Sequence, residues 1–231
     1  MYILLSPTKT MIQPTIELKS FENSKPYFKS KAKLINSALR KLSKKELQNL
    51  MKLSDNLADE TYCDLNEWGN SNNEKHPAVL TYFGTAFKYL NAQNWSDDTA
   101  IHAQSHLIIL SGLYGLLKPY DRVEKYRLEM GLKFKLIDGF SNLYDFWNQD
   151  IINYLNEFNA DKPIINLASN EYFKVINKYS YFDKIINCTF LEDSNGKLKV
   201  IANHSKAARG SMANFILQNK LTNPEQLKEY K

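Results

Sequence analysis

This sequence has few cysteines and lacks both a leader peptide and a long apolar run, features that would identify several protein classes. Cysteine occurs only twice, at Cys63 and Cys188, and the two residues lie far apart in the chain. Neither a disulfide framework nor a zinc knuckle is therefore indicated, and a reducing cytoplasm fits best. The N-terminus has no basic leader, and no apolar run is long enough to span a bilayer. We expect a cytoplasmic protein with no membrane partner.

Familiar nucleotide-binding and nucleophile motifs are missing as well. The sequence contains no Walker loop, no Gly-x-Ser-x-Gly elbow and no Gly-x-Gly-x-x-Gly fingerprint. It also contains no repeat, low-complexity tract or Gly/Ser linker. Hydrophobic residues make up 43% and charged residues 24%, which indicates a globular chain rather than a disordered one. We expect one domain over residues 1–231 and assign it no cofactor.

Positive charge is concentrated at the two ends of the chain. Residues 1–53 hold 11 Lys or Arg against 3 Asp or Glu, and residues 196–231 hold 7 against 2. The middle, residues 54–195, holds 12 against 20. If the fold brings the two basic ends together, they form one positive face suited to a polyanion. Otherwise these lysines belong to solvated helix faces.

Hydrophobic periodicity and capping signals predict that strands alternate with helices. The predicted strands are residues 2–6, 78–83, 107–110, 163–169, 185–191 and 197–201. The predicted helices are residues 25–42, 43–53, 54–68, 96–106, 142–158, 170–177, 205–220 and a last one, capped by Thr222 and Glu225. Ser43 and Glu46 have the spacing of a capping box, and a helical hairpin is expected at about residues 43–64. The fold class is α/β mixed (α+β), a mixed central sheet surrounded by helices.

The most informative stretch is residues 107–115, a short apolar run that meets a Ser-Gly-x-Tyr-Gly turn. The run predicts a buried strand that ends in a tight turn, with Ser111 and Tyr114 at its carboxyl end. In open α/β sheets this is where ligands bind. Glycines in turns more often serve the backbone alone, so this motif by itself favours a structural role.

Polar residues follow two other predicted strands, and a charged arm follows the turn. Lys9 comes after the first strand, and Asn166, Ser169 and Glu171 come after the strand at 163–169. The arm at residues 126–134 alternates apolar residues with charged ones. If these strands are neighbours, their polar ends converge. The candidate polar cleft comprises Ser111, Tyr114, Arg127, Glu129, Asn166, Ser169 and Glu171.

Such a cleft suits an enzyme that acts on a small anionic or nucleotide-like substrate. Glu129 or Glu171 could serve as the base, and Arg127 or Lys9 could hold the anion. A plain structural salt bridge between Arg127 and Glu129 is an equally good interpretation. The sequence leaves the catalytic residues unassigned.

A metal site has little support in the sequence. His102 and His106 are four residues apart on a predicted helix, which would place both imidazoles on one face. No third ligand with a recognisable spacing lies nearby, so packed histidines are the preferred interpretation and no metal is assigned.

Six blocks in the same order along almost the whole chain resemble the YaaA peroxide-stress proteins of bacteria. Two of them are Tyr-Arg-Leu-Glu-Met-Gly at 126–131 and Asn-Leu-Ala-Ser-Asn-Glu-Tyr-Phe-Lys at 166–174. The other four are residues 3–10, 50–55, 110–115 and 208–210. The resemblance implies a compact mixed α/β fold with a positively charged cleft, in a cytoplasmic protein that limits peroxide damage by lowering unincorporated iron.

The resemblance also implies a helix-hairpin-helix element that binds double-stranded DNA, including distorted duplexes. We place this element at residues 43–64, although Ser-Asp-Asn at 54–56 replaces its usual Gly-x-Gly turn. Gly-Thr-Ala-Phe at 84–87 also departs from the family's usual Gly-Asp-x-Tyr, and the sequence stops at Lys231, before the further tail that the resemblance leads us to expect. On this hypothesis the phosphate contacts are Lys9, Lys44, Lys45, Lys52, Lys206 and Arg209. No sequence feature assigns an oligomeric state.

Overall fold

A five-stranded mixed sheet lies at the centre of the fold. The computed structural model describes residues 1–15, 24–133, 135, 137–159, 162–177 and 185–230. The strands of the central sheet are β1 (Tyr2–Leu5), β3 (Leu107–Ser111), β4 (Gly115–Leu117), β6 (Ile164–Leu167) and β7 (Ile185–Asn187). Their order is β4-β3-β1-β6-β7, in which β4 is antiparallel to β3 and the other pairs are parallel. The mixed α/β fold predicted from the sequence is confirmed.

Helices and two small strand pairs complete the described part of the chain. The strand pairs are β2 (His76–Pro77) with β5 (Arg122–Val123), and β8 (Glu192–Ser194) with β9 (Lys197–Lys199). The helices are α1 (Lys29–Leu39), α2 (Lys44–Met51), α3 (Asp55–Glu67), α4 (Ala78–Thr81), α5 (Thr85–Leu90), α6 (Asp97–His106), α7 (Leu143–Asn159), α8 (Asn170–Asn177) and α9 (Ala202–Gln218), with short 3-10 helices at Ala92–Asn94 and Pro224–Glu229. None of these helices combines the length and the apolar character that a membrane crossing requires.

The middle of the sheet is buried on both faces, which explains its nearly continuous apolar strands. Every residue of β1, β3 and β6 is buried. β1 pairs in parallel with both β3 and β6, with Leu5 opposite Ile109 on one side and Leu167 on the other. The carboxyl ends of these three strands therefore meet at one edge of the sheet, and the loops that follow them share that edge.

The predicted helical hairpin contains two helices that pack against each other, α2 and α3. The Ser43 hydroxyl accepts a hydrogen bond from the Glu46 amide, and the Glu46 carboxylate accepts one from the Ser43 amide at 2.8 Å, so the predicted capping box is confirmed. Lys52 ends α2 in the left-handed conformation, with φ 53° and ψ 51°. Glycine is the usual residue at such a helix end, because a Cβ is strained there.

Replacing Lys52 with glycine should therefore stabilise the protein by about 0.5–1 kcal/mol, because the left-handed strain is relieved. The free energy of unfolding in urea measures this change. Lys45→Gly, inside the same helix, is the matched control and should destabilise by a similar amount because glycine weakens a helix. A loss of stability in Lys52→Gly equal to that in the control would contradict this account of the turn.

Three local predictions are wrong. Residues 78–83 were expected to form a strand, but Ala78–Thr81 form a helical turn in which the Tyr82 amide donates to the Ala78 carbonyl at 3.0 Å. A short, fully buried apolar run does not distinguish helix from strand by periodicity. The strands near the C-terminus are shorter than predicted, because only residues 185–187 and 197–199 pair. Asn223, rather than Thr222, caps the last helical turn.

The arm after β5 keeps the predicted alternation without joining a sheet. Tyr126, Leu128 and Met130 are buried, whereas Arg127 and Glu129 between them are half-buried. Residues 126–130 belong to no strand, so packing rather than a hydrogen-bond ladder holds the arm extended. Phe134, the last residue of the predicted arm, lies outside the described residues.

Close packing between α5 and α9 positions both helices beside the edge of the sheet where β1 and β6 end. A Cβ placed on Gly210 would lie 1.9 Å from the Ala86 carbonyl oxygen, so glycine is what lets the two helices approach. The Thr85 hydroxyl also donates to Asn203 at 3.2 Å. The first two turns of α9 are thereby held beside the carboxyl ends of β1 and β6.

Candidate functional site

A cavity of about 450 Å³ opens at the carboxyl ends of β1 and β6, and we call it the strand-end cavity. The loop after β1, the start of α5, the loop after β6 and the start of α9 form its walls. Three of its cations come from the two basic ends of the sequence, namely Lys9, Lys206 and Arg209. The fold therefore brings part of both basic segments together, as the charge distribution suggested.

Arg209 is the least solvated of these cations. It is half-buried, and burial lowers the pKa of its guanidinium. Its Nε atom is buried and has no hydrogen-bond partner in the described part of the chain. Within the described residues, neither Arg209 nor Lys206 makes an ion pair with a carboxylate. A buried donor with no partner is costly, and an anionic ligand in the cavity would supply the missing acceptor.

A second cavity, of about 690 Å³, lies between the arm and the end of α2, and we call it the hairpin cavity. Its lining includes Lys52 from the α2–α3 turn and Arg127 from the arm. Glu129 and Glu171 line both cavities, so the two adjoin. We refer to the two cavities together as the cleft.

The two shared glutamates are already engaged. Glu129 forms an ion pair with Lys9 at 2.5 Å, and the Glu171 carboxylate accepts a hydrogen bond from the Gly131 amide at 3.0 Å. The Arg127 guanidinium donates to the Lys9 carbonyl at 3.5 Å. Glu129 thus pairs with Lys9 rather than with Arg127, which leaves the guanidinium charge of Arg127 open to a ligand.

The loops that carry the polar groups of the strand-end cavity are tied together. The Ser169 amide donates to the Ser6 hydroxyl at 2.7 Å, and the Ser6 hydroxyl donates to that of Ser169 at 3.2 Å. These bonds join the loop after β1 to the loop after β6. The Ser169 hydroxyl accepts in the bond from Ser6 and keeps its own proton, so it is preorganised beside the cations, where it can donate to a phosphate oxygen.

Ser111 and Tyr114 do not line the cleft. Both are buried in a hydrogen-bonded network, in which the Tyr114 amide donates to the Ser111 hydroxyl at 2.9 Å and that hydroxyl shares a bond with the Tyr126 hydroxyl at 2.7 Å. Tyr126 is also bonded to Tyr82 at 2.6 Å, and burial raises the pKa of Tyr126 to about 12. Neutral tyrosines in a core network support the fold rather than contact a ligand.

Asn166 is likewise directed into the structure. Its side-chain amide donates to Asn187 at 2.7 Å, and its side-chain oxygen accepts from the Ala168 amide at 3.0 Å. Of the seven residues in the candidate polar cleft, the structure brings together Arg127, Glu129, Ser169 and Glu171, and it places Ser111, Tyr114 and Asn166 elsewhere.

Lys44 and Lys45 lie on the exposed first turn of α2 rather than in the cleft. Lys44 is paired with Asp59 of α3 at 2.6 Å, and Lys45 donates to Gln48 at 3.1 Å. Lys9, Lys52, Lys206 and Arg209, the other four members of the predicted DNA-binding set, all line one cavity or the other.

The histidine pair is packed on α6. The rings of His102 and His106 stack with their centroids 4.0 Å apart, and burial lowers the pKa of His102 to about 4. Where the structure describes the chain, no three His, Cys, Asp or Glu side chains come together as metal ligands.

The candidate residues predicted from the sequence left out other polar residues of the strand-end cavity, among them Ser6, Thr85 and Tyr172. Thr85 begins a six-residue helix that no periodic pattern marks, whereas Tyr172 directly follows Glu171 and could have been found from that neighbour.

The fold and the site define a mixed α/β protein with an open, cation-lined cleft at the carboxyl ends of parallel strands. The chain belongs to the YaaA family, because the family model described as peroxide stress protein YaaA matches residues 1–231. A UPF0246 protein of Legionella pneumophila strain Corby is 39% identical over 236 residues, which cover 100% of this chain and 91% of the relative. UPF0246 proteins of Psychrobacter cryohalolentis and Clostridium perfringens strain SM101 are each 39% identical, covering 100% of this chain and 90% and 91% of their own. Membership of this family supports a role in peroxide stress.

Proposed function

We propose that this member of the peroxide stress family binds DNA through the cleft, and that it acts in the cytoplasm to limit oxidative damage by lowering unincorporated iron. The observation that carries the proposal is the convergence of cations from both ends of the sequence on one cleft. Lysine and arginine contacts to phosphates supply most of the affinity of sequence-independent DNA binding.

The composition of the cleft suits a phosphodiester backbone. Lys52, Lys206 and Arg209 have no carboxylate partner among the described residues, so a phosphate does not have to displace an existing ion pair. The Ser169 hydroxyl, which accepts a bond from Ser6 and keeps its own proton, lines the same cavity as the last two. Hydroxyls and cations together are the usual protein contacts to phosphate oxygens.

The helical hairpin extends the proposed interface. The last residues of α2 and the turn residue Lys52 line the hairpin cavity, so DNA in the cleft would touch the turn. Lys44 and Lys45 are exposed on the same helix, and Lys45, which bonds to Gln48 rather than to a carboxylate, adds positive charge beyond the cleft. This arrangement fits the expected helix-hairpin-helix role, in which the turn contacts the backbone of plain or distorted duplexes.

Fluorescence anisotropy with a labelled duplex, and with the same duplex carrying a bulge, tests this proposal across a salt series. We expect affinity to fall steeply with salt because each neutralised phosphate releases counterions. Lys52→Glu and Lys206→Glu should each weaken binding about tenfold at low salt and reduce the logarithmic salt slope by about one. The wild-type protein should bind both duplexes.

Lys25→Glu provides the matched control for these variants. Lys25 is exposed and adjoins Ser24, which is bonded to Gln104 of α6 at 2.9 Å, near the amino end of β3. The same charge change is thus made at the opposite edge of the sheet from the cleft. No duplex binding at low salt, or an equal loss of affinity in Lys25→Glu, would refute the proposal.

The iron part of the proposal has its own readout. Cells that lack the protein and are exposed to hydrogen peroxide should contain more unincorporated iron, measured by electron paramagnetic resonance of chelated iron. Complementation with the wild-type protein should lower that signal, and complementation with Lys206→Glu should not. If both proteins lowered the signal equally, iron handling would not depend on the cleft, which would contradict this part of the proposal.

An enzyme acting on a small anionic or nucleotide-like substrate is the second candidate. Glu171 lies with Ser169 and Arg209 around a cavity whose volume, about 450 Å³, suits a ligand of nucleotide size. Phosphate binding alone does not need a carboxylate at that position, whereas a base does. Binding of a mononucleotide that resists salt and is unchanged in Lys52→Glu would favour this candidate over DNA.

A further inference from the structure

We propose a second ligand site in a cavity of about 490 Å³ between α1 and the segment that follows α3, which we call the α1 cavity. The geometry points to a small phosphate ester that carries a hydroxyl group, such as a sugar phosphate. In the part of the chain that the structure describes, this cavity and the cleft share no lining residue. The α2 residues of the hairpin cavity precede α3, whereas Trp68 and Gly69 of the α1 cavity follow it, and α3 is a helix of 13 residues, about 20 Å long.

One stripe of α1 supplies most of the positive charge of this cavity, and a further cation, Lys75, lies 3.8 Å from the Glu124 carboxylate. Lys29, Lys33, Ser37 and Arg40 recur at helical spacing and all line the cavity, whereas the opposite face of α1 buries Ala32, Ile35 and Leu39. Within the described residues, Lys29, Lys33 and Arg40 form no ion pair with a carboxylate. Among the described residues that line the cavity there is no aspartate or glutamate, in contrast to the cleft. An anion would relieve the mutual repulsion of these cations.

Asn36 indicates that the ligand also brings a hydrogen-bond donor. Its side chain is among those that line the cavity and is only 3% exposed. The Asn36 amide nitrogen donates to the Leu65 carbonyl at 3.3 Å, but its side-chain oxygen is buried and has no hydrogen-bond partner among the described residues. A buried acceptor is normally satisfied. A hydroxyl on the ligand would satisfy it, which an ester with a free hydroxyl provides and a fully ionised phosphate does not.

The wall opposite α1 is held in place by the core. The buried carboxylate of Glu124 accepts hydrogen bonds from the Gly69 amide at 2.6 Å and from Asn73 at 2.8 Å. Trp68, which lines the cavity, donates its indole N–H to the Tyr114 hydroxyl at 2.9 Å. The site is thus preorganised, and the Trp68 indole is a built-in reporter of occupancy.

The experiment titrates the full-length protein with glucose 6-phosphate, inorganic phosphate and glucose, followed by calorimetry and by the NMR signal of the Trp68 indole. The sugar phosphate should bind and shift that signal, inorganic phosphate should bind about tenfold more weakly, and glucose should not bind. The double variant Lys33→Ala/Arg40→Ala should weaken sugar phosphate binding about tenfold or more. Both side chains are exposed, so this variant is expected to fold.

Matched variants separate this site from the cleft. Lys41→Ala removes an exposed cation that does not line the cavity, and it should leave sugar phosphate binding unchanged. Lys206→Glu should also leave it unchanged. Absence of any shift at Trp68, or an equal loss in Lys41→Ala, would overturn the proposal. Displacement of the sugar phosphate by duplex DNA, together with weaker duplex binding in Lys33→Ala/Arg40→Ala, would assign the cavity to backbone phosphates instead.

Discussion

Replacing Gly210 with alanine should destabilise the protein by about 3 kcal/mol and weaken duplex binding at the same time. Alanine in a helix is ordinarily about 1 kcal/mol more favourable than glycine, so helix propensity alone predicts the opposite sign. Packing decides the outcome, because the new Cβ would lie 1.9 Å from the backbone oxygen of Ala86. No side-chain rotation can remove a contact with backbone, so α9 has to move away from α5.

That movement links stability to the cleft. Lys206 and Arg209 lie on α9, within four residues of Gly210, and Thr85 at the start of α5 bonds to Asn203. Urea unfolding and duplex anisotropy on the same preparation measure the two effects. Ser211→Ala, at a half-buried neighbouring position, is the control and should change stability by less than about 0.5 kcal/mol. A Gly210→Ala protein as stable as the wild type would refute the close contact between the helices.

The central strands could be predicted because their signal is local. β1, β3 and β6 are apolar runs that end at turn residues, and the structure places each within a residue or two of its expected position. The prediction of a strand at Ala78–Thr81 was wrong because the apolar run is too short to show a period. The tertiary environment makes this segment a helix. The order of the strands depends on contacts between distant segments, which no local pattern contains.

Part of the candidate site could also be predicted, because its residues directly follow strands that the local sequence indicates. Lys9, Ser169 and Glu171 follow strands, so the rule that loops at one sheet edge converge was enough to bring them together. Ser111 also ends a strand, but the arm closes over its turn. A Cβ on Gly112 would lie 2.6 Å from the Leu128 carbonyl oxygen, so this glycine permits the arm to pack there. Because the arm buries Ser111, this side chain forms hydrogen bonds in the core instead of the ligand contact that the sequence predicted.

Replacing Glu124 with alanine should destabilise the protein by about 3 kcal/mol or more, because a buried carboxylate leaves several donors behind when it is removed. Glu124 is 2% exposed, and its carboxylate accepts hydrogen bonds from the Gly69 amide at 2.6 Å and from Asn73 at 2.8 Å. It also lies 3.8 Å from the Lys75 ammonium. Loss of these bonds frees the segment that forms one wall of the α1 cavity. Urea unfolding measures the loss of stability.

Two further variants distinguish the carboxylate from the rest of the side chain. Glu124→Gln keeps one acceptor oxygen and the same shape, so it should lose less stability than Glu124→Ala. Glu67→Ala removes an exposed glutamate at the end of α3 and should change stability by less than about 0.5 kcal/mol. If Glu124→Ala unfolded at the same urea concentration as Glu67→Ala, the segment at residues 69–75 would be held by other contacts. The α1 cavity would then not depend on Glu124 for its shape.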